Sequence, residues 1–150
     1  FAIVAIVAHP LYYLWWTEFE PQGFESAALR AFSVLVALPM LFERQFARNP
    51  YWRRKITVYW FLILLYQLPF FFVFMSLMNE FTTVWALSTM AASLLLVLVV
   101  FDWLMTLLMA LLGAVLACMA YELVGGDLQG VDFDGHRNIG QKVTGLVVGT

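Results

Sequence analysis

The chain has 150 residues, of which 63% are apolar and only 12% charged, against about 45–50% and about 25% in ordinary soluble domains. A water-soluble fold of this length has too much surface for its core to hide that many apolar side chains, so the composition excludes one and makes lipid the solvent. The net charge of −2, from eight basic and ten acidic residues, leaves no basic footprint for nucleic acid.

Run one covers residues 1–16 and closes on Tyr12, Tyr13, Trp15 and Trp16, an aromatic anchor of the kind found where a helix leaves the bilayer. A link over 17–23 carries Glu18, Glu20 and Pro21, and run two covers 24–42. The stretch 43–55 then gathers Arg44, Arg48, Arg53, Arg54 and Lys55. Run three, 56–78, contains Pro69; Asn79 and Glu80 make a short turn, and run four follows over 82–100. Asp102 marks a tight turn, because one helix from run four through run five, 103–121, would overshoot any bilayer. A polar stretch, 122–142, holds Gly125, Gly126, Gly130, Gly135 and Gly140, and run six begins near Val143.

Runs of roughly 18–23 apolar residues suit spanning helices, since lipid offers backbone N–H and C=O groups no partner. The runs do not alternate as barrel strands would. The expected fold is an all-α integral membrane bundle of six transmembrane helices, near 1–16, 24–42, 56–78, 82–100, 103–121 and from 143 onward, the sixth only partly present. Five of the eight basic residues lie between runs two and three. That bias places the loop in the cytoplasm, and with it both termini. The chain starts at Phe1 inside one apolar run and stops at Thr150 inside another, so it reads as a piece of a longer polypeptide. Residues 1–16 lack the basic region and cleavage site of a signal peptide.

No motif for soluble catalysis, phosphate binding or redox chemistry is present, and no catalytic residue or cofactor is expected within these residues. The lone Cys118 is a packing residue. Asp132, Asp134 and His136 alternate as metal ligands can, but Gly-rich acidic loops are ordinarily just solvated, so no metal is expected. Polar residues inside apolar runs carry more information, because lipid penalises them. His9 either bonds a neighbouring helix or meets a ligand. Arg30 either snorkels or pairs with Glu25 or Glu18, and Gln67 bonds another helix. Trp85 and Ser88 are three apart and share a helical face. An indole N–H and a hydroxyl there can orient a mostly apolar ligand, or the face can simply pack. Ser88 with Ala92, and Gly113 with Ala117, form small-xxx-small pairs that allow close helix approach. Pro69 interrupts a helical hydrogen bond just before Phe70, Phe71, Phe72, Phe74 and Met75, which are either lipid-facing bulk or a pocket wall.

The chain resembles the membrane sensor region of the CqsS-type quorum-sensing histidine kinases, receptors for α-hydroxyketone autoinducers. The resemblance rests on Pro10, Tyr12 and Tyr13; Pro21 and Glu25; Leu29-Arg30; and Tyr59 and Phe61. It continues through Leu68-Pro69-Phe70-Phe71-Phe72, Phe74-Met75, Leu77-Met78-Asn79, Trp85-Ala86, Ser88 and Met90-Ala91. It runs from about residue 9 to 102 and is strongest over 68–91. It implies a six-helix sensor of the bacterial inner membrane that binds a small amphiphilic ligand and controls a downstream cytoplasmic kinase. By position, Trp85 and Ser88 would meet the ligand head group, while Phe70, Phe71, Phe72 and Phe74 would wall the pocket. His9 completes the candidate set, with ligand entry between runs three and four. The rival reading is a non-catalytic subunit of a larger membrane complex, its small-residue faces and aromatic belts serving as subunit contacts. A homodimer is also expected of the sensor. A transporter is disfavoured, because no internal repeat is visible.

Overall fold

The computed structural model describes residues 1–126, and all the regular structure among them is helical. Run six and the Asp132, Asp134 and His136 cluster lie outside the described residues.

α1 spans Ala2–Leu14 and widens into a π-helical turn, Trp15–Phe19. α2, Ala27–Ala37, starts where the Ser26 hydroxyl accepts the Leu29 amide at 3.3 Å, satisfying a backbone donor the helix itself leaves open. It tightens into a 3-10 turn, Leu38–Phe42, at Pro39 and runs on as α3, Glu43–Ala47. α4, Pro50–Leu65, passes through a π turn, Tyr66–Phe70, into α5, Phe71–Met78. α6, Thr83–Val100, stops at Phe101, whose φ of 54° is left-handed. α7, Trp103–Leu123, begins on Asp102, whose carboxylate accepts the Met105 amide at 2.8 Å. The break at Asp102 is therefore a real end and a real start.

Two boundaries differ from the hydrophobicity pattern. The basic stretch 43–55 is mostly helical, and the third run starts at Pro50 rather than Ile56. Asn49 caps that helix by accepting the Tyr51 amide at 3.0 Å, and Pro50 follows in the first turn, where its missing N–H costs nothing. Capping chemistry, not the end of the apolar run, sets the start. Pro69 does not break the helix either. The π turn absorbs the lost hydrogen bond, so Pro50–Met78 is one 29-residue helix.

That helix is the axis of the bundle. Half of its most apolar window is buried, against 17% for α6 and for α7. Directions follow from cross-helix pairs. Tyr59 and Gln67 donate to the carbonyls of Val36 and Ser33, so α2 runs antiparallel to the axis. Ser76 meets Thr89 near one end, while Leu64 and Leu68 pack with Ala92 and Leu96 nearer the other, so α6 is antiparallel too. α7 runs parallel to the axis, with Met109 beside Leu64 and Ala117 beside Phe74 and Met75. The basic residues and Asp102 thus share one end of the bundle, and Asn79 lies at the other.

Small residues make the packing close. A Cβ on Gly113 would lie 2.5 Å from Pro69 Cβ, so α7 touches the axis backbone-near at its π turn. Ala92 and Ala117 are buried as well. The small-residue positions are therefore spent within the chain. The outward faces of α6 and α7 remain apolar, with Leu87, Leu94, Leu98, Leu111 and Val115 among many exposed side chains. A continuous face of that kind is suited to lipid or a membrane partner.

Three helices among the described residues, Pro50–Met78, Thr83–Val100 and Trp103–Leu123, are long and apolar enough to cross a membrane.

Candidate ligand cavity

A cavity of about 210 Å³ lies between α1, α2, α5 and α6. Trp85 and Ser88 line it together, as one helical turn of α6 requires, and Phe72 faces them from α5. The remaining wall includes Tyr12 and Trp16 from the first run and Arg30 from α2. The rings are close: Trp16 and Phe72 stand 6.4 and 6.5 Å from Trp85, and Tyr12 stacks on Trp16 at 6.1 Å. Tyr12 on α1 and Ala91 and Leu95 on α6 are lining residues that are also exposed. The cavity therefore reaches the surface beside α1 and α6.

Polarity is concentrated at the deep side. Arg30 is buried, and it donates through Nε and Nη2 to the two carboxylate oxygens of Glu25 at 2.7 and 2.8 Å. The two side chains are 6% and 5% exposed, so neither charge could stand there alone. The fork-to-carboxylate geometry fixes the guanidinium in direction as well as charge. Its Cζ lies 5.4 Å from the Phe71 ring centre and 6.0 Å from that of Trp85. Trp85 is 2% exposed. Its indole N–H has no hydrogen-bond partner among the described residues. Ser88 donates to the Val84 carbonyl at 2.8 Å, which leaves its oxygen lone pairs as acceptors.

The other sequence-derived candidates separate. Phe71 is buried beneath Arg30 and meets the His9 ring edge-on at 5.1 Å. His9 Nδ1 is buried without a partner among the described residues, yet His9 is not in the cavity wall. Phe70 and Phe74 lie outside that wall: four apart, they stack on each other at 6.0 Å, and Phe74 packs on Phe24. Helical geometry lets only one face of the Phe run point at α6. Of the readings open for Arg30, the structure shows pairing with Glu25, and Gln67 bonds α2. The readings of Tyr12 and Trp16 as an interface anchor missed their place in the wall. Their spacing of four was the available signal, since it puts both on one face.

α2 and the axis are joined above the cavity by Asn79. Its side chain donates to the Phe24 and Met75 carbonyls at 3.0 and 2.9 Å and accepts the Phe24 amide at 2.8 Å. This clamp fixes the link before α2, and with it Glu25 beside Arg30.

An all-helical bundle with apolar outer faces and three helices long and apolar enough to cross a membrane defines the class, a helical membrane protein. No family model matches the chain, and no solved structure does. Over 117 residues, 78% of its length, it is 32% identical to the CAI-1 autoinducer sensor kinase/phosphatase CqsS of Vibrio cholerae. The chain carries a CqsS-type sensor region. It spans about 17% of that relative's length.

Proposed function

We propose that this chain is the ligand-binding membrane module of a sensor of the bacterial inner membrane, controlling a cytoplasmic histidine kinase. The bundle has six spanning helices, with the basic 43–55 end and both termini in the cytoplasm. Its ligand is a small, uncharged amphiphile of the α-hydroxyketone kind.

The observation that carries this reading is the unpartnered indole N–H of Trp85 in a cavity wall. A buried donor without an acceptor costs about 1–3 kcal/mol, and a ligand ketone or hydroxyl oxygen would remove that cost. Ser88 supplies an acceptor on the same face for a ligand hydroxyl. Arg30 is already neutralised by Glu25, so the cavity favours a neutral head group over an anion. Phe72, Leu68 and Leu95 offer apolar wall for an alkyl chain. The opening beside α1 and α6 supports entry from the bilayer, where such a molecule concentrates. Binding shifts output only through different affinities for two packings of the bundle. The wall draws on α1, α2, α5 and α6, so a ligand there touches four helices at once.

The relative's printed name, an autoinducer sensor kinase/phosphatase, supports the same reading. The accessory-subunit alternative loses one support, because Gly113, Ala117 and Ala92 are used inside the chain.

Trp85→Phe keeps the ring and removes the donor. In the full-length receptor, the concentration of alkyl hydroxyketone giving half response should rise about tenfold or more, with membrane levels unchanged. Phe74→Leu, outside the wall, should leave it within about twofold. An unaltered dose–response for Trp85→Phe would remove the cavity from the sensing reading.

A further inference from the structure

A second concavity lies away from Trp85. A groove of about 520 Å³ lies at the opposite, basic end, between the 3-10 turn after α2, α3 and α4 from Trp52 to Leu62. Its floor and sides are apolar, with Pro39, Phe46, Trp52 and Leu62 among them, and Arg54 and Lys55 also line it. The helical fold of 43–55 creates it. Phe46 on α3 packs on Trp52 of α4 at 6.0 Å, and Tyr59 donates to the Val36 carbonyl at 2.8 Å. These two contacts hold α2 and α3 against α4 and leave a trough.

Charge shows what fits there. Arg44, Arg48, Arg53, Arg54 and Lys55 are all exposed. The ion pair found among the described residues is Arg30–Glu25, far from this end, so none of the five has a carboxylate at bonding distance among those residues. Two acidic residues share this end, Glu43 and Asp102, and Asp102 is engaged as the cap of α7. The Lys55 ammonium is held over the Tyr51 ring at 4.0 Å and near that of Trp52 at 5.2 Å, beside the apolar wall rather than swinging free. A cationic rim on an apolar trough, at the level where a spanning helix leaves the bilayer, complements a molecule with an anionic head and a hydrocarbon tail.

We propose that this groove is a binding site for an anionic phospholipid of the leaflet at the basic end. The phosphate sits on Arg54 and Lys55, and one acyl chain lies along Trp52, Val58 and Leu62. The site is separate from the Trp85 cavity and does not rest on the sensing reading. The lipid bridges α3 and α4, so its occupancy stabilises the helical form of the 43–55 stretch.

Native mass spectrometry of the protein in nanodiscs of phosphatidylglycerol and phosphatidylcholine with matched acyl chains tests this. The unaltered protein should retain phosphatidylglycerol in preference to phosphatidylcholine. The double variant R54Q/K55Q should lose that preference by on the order of 25-fold, about fivefold for each charge removed. Leu62→Trp fills the trough while leaving every cation in place, and it should lose the retained lipid by about tenfold. Equal retention of the two lipids by the unaltered protein would overturn the proposal. So would an undiminished preference in Leu62→Trp, since diffuse surface charge alone would then account for it. Helical content measured by circular dichroism distinguishes either result from a misfolded variant.

Discussion

The two ends of this bundle carry charge in opposite ways. Near the Asn79 end, Arg30 is buried and locked onto Glu25 through two hydrogen bonds. At the other end, five cations stand exposed without a carboxylate at bonding distance among the described residues. The solvent explains the difference. Inside the bundle nothing but a partner can offset the loss of hydration. At an exposed end water and counterions do so. A charge in the first setting is therefore structural and specific, whereas a charge in the second is individually cheap.

That contrast can be broken by substitution. The largest effect is expected from Glu25→Gln, which leaves the buried guanidinium without its counter-charge. It should destabilise the protein by about 3–5 kcal/mol, read as a fall in thermal unfolding midpoint in detergent; an unchanged midpoint would mean that water reaches Arg30. Next comes Gly113→Ala, which tests whether the axis is packed as tightly as its burial implies. With the new Cβ 2.5 Å from Pro69, a loss of about 1–3 kcal/mol is expected. A neutral outcome would show that the π turn at Pro69 yields. The smallest effect belongs to the basic end. Arg53→Gln should shift stability by less than about 0.5 kcal/mol, and a loss comparable to that of Glu25→Gln would erase the distinction between the ends.

Hydrophobicity located α6 and α7 nearly to their ends but missed the start of the third run. The start at Pro50 was written in Asn49-Pro50, a cap followed by a first-turn proline, and an apolar count does not weigh that signal. The Phe run shows a different limit. Its composition was plain, yet which ring meets α6 depends on the rotation of a helix that passes through a π turn. Phe72 reached the cavity and Phe70 and Phe74 did not. Trp85 and Ser88 were legible as a pair because both lie on one helix. Arg30, Tyr12 and Trp16 come from two other segments, and no spacing within the sequence links them to α6.

The sequence by itself determined the apolar, membrane-suited composition, helical character and the basic end, and it offered Glu25 as one of the possible partners of Arg30. All of these follow from composition or from separations within one helical segment. Only the tertiary structure decided that the Trp85 N–H stays unpartnered among the described residues, close to Arg30, that the small residues are spent inside the chain, and that a second, basic groove exists. Those properties depend on how helices rotate and approach one another, which close packing between distant segments fixes.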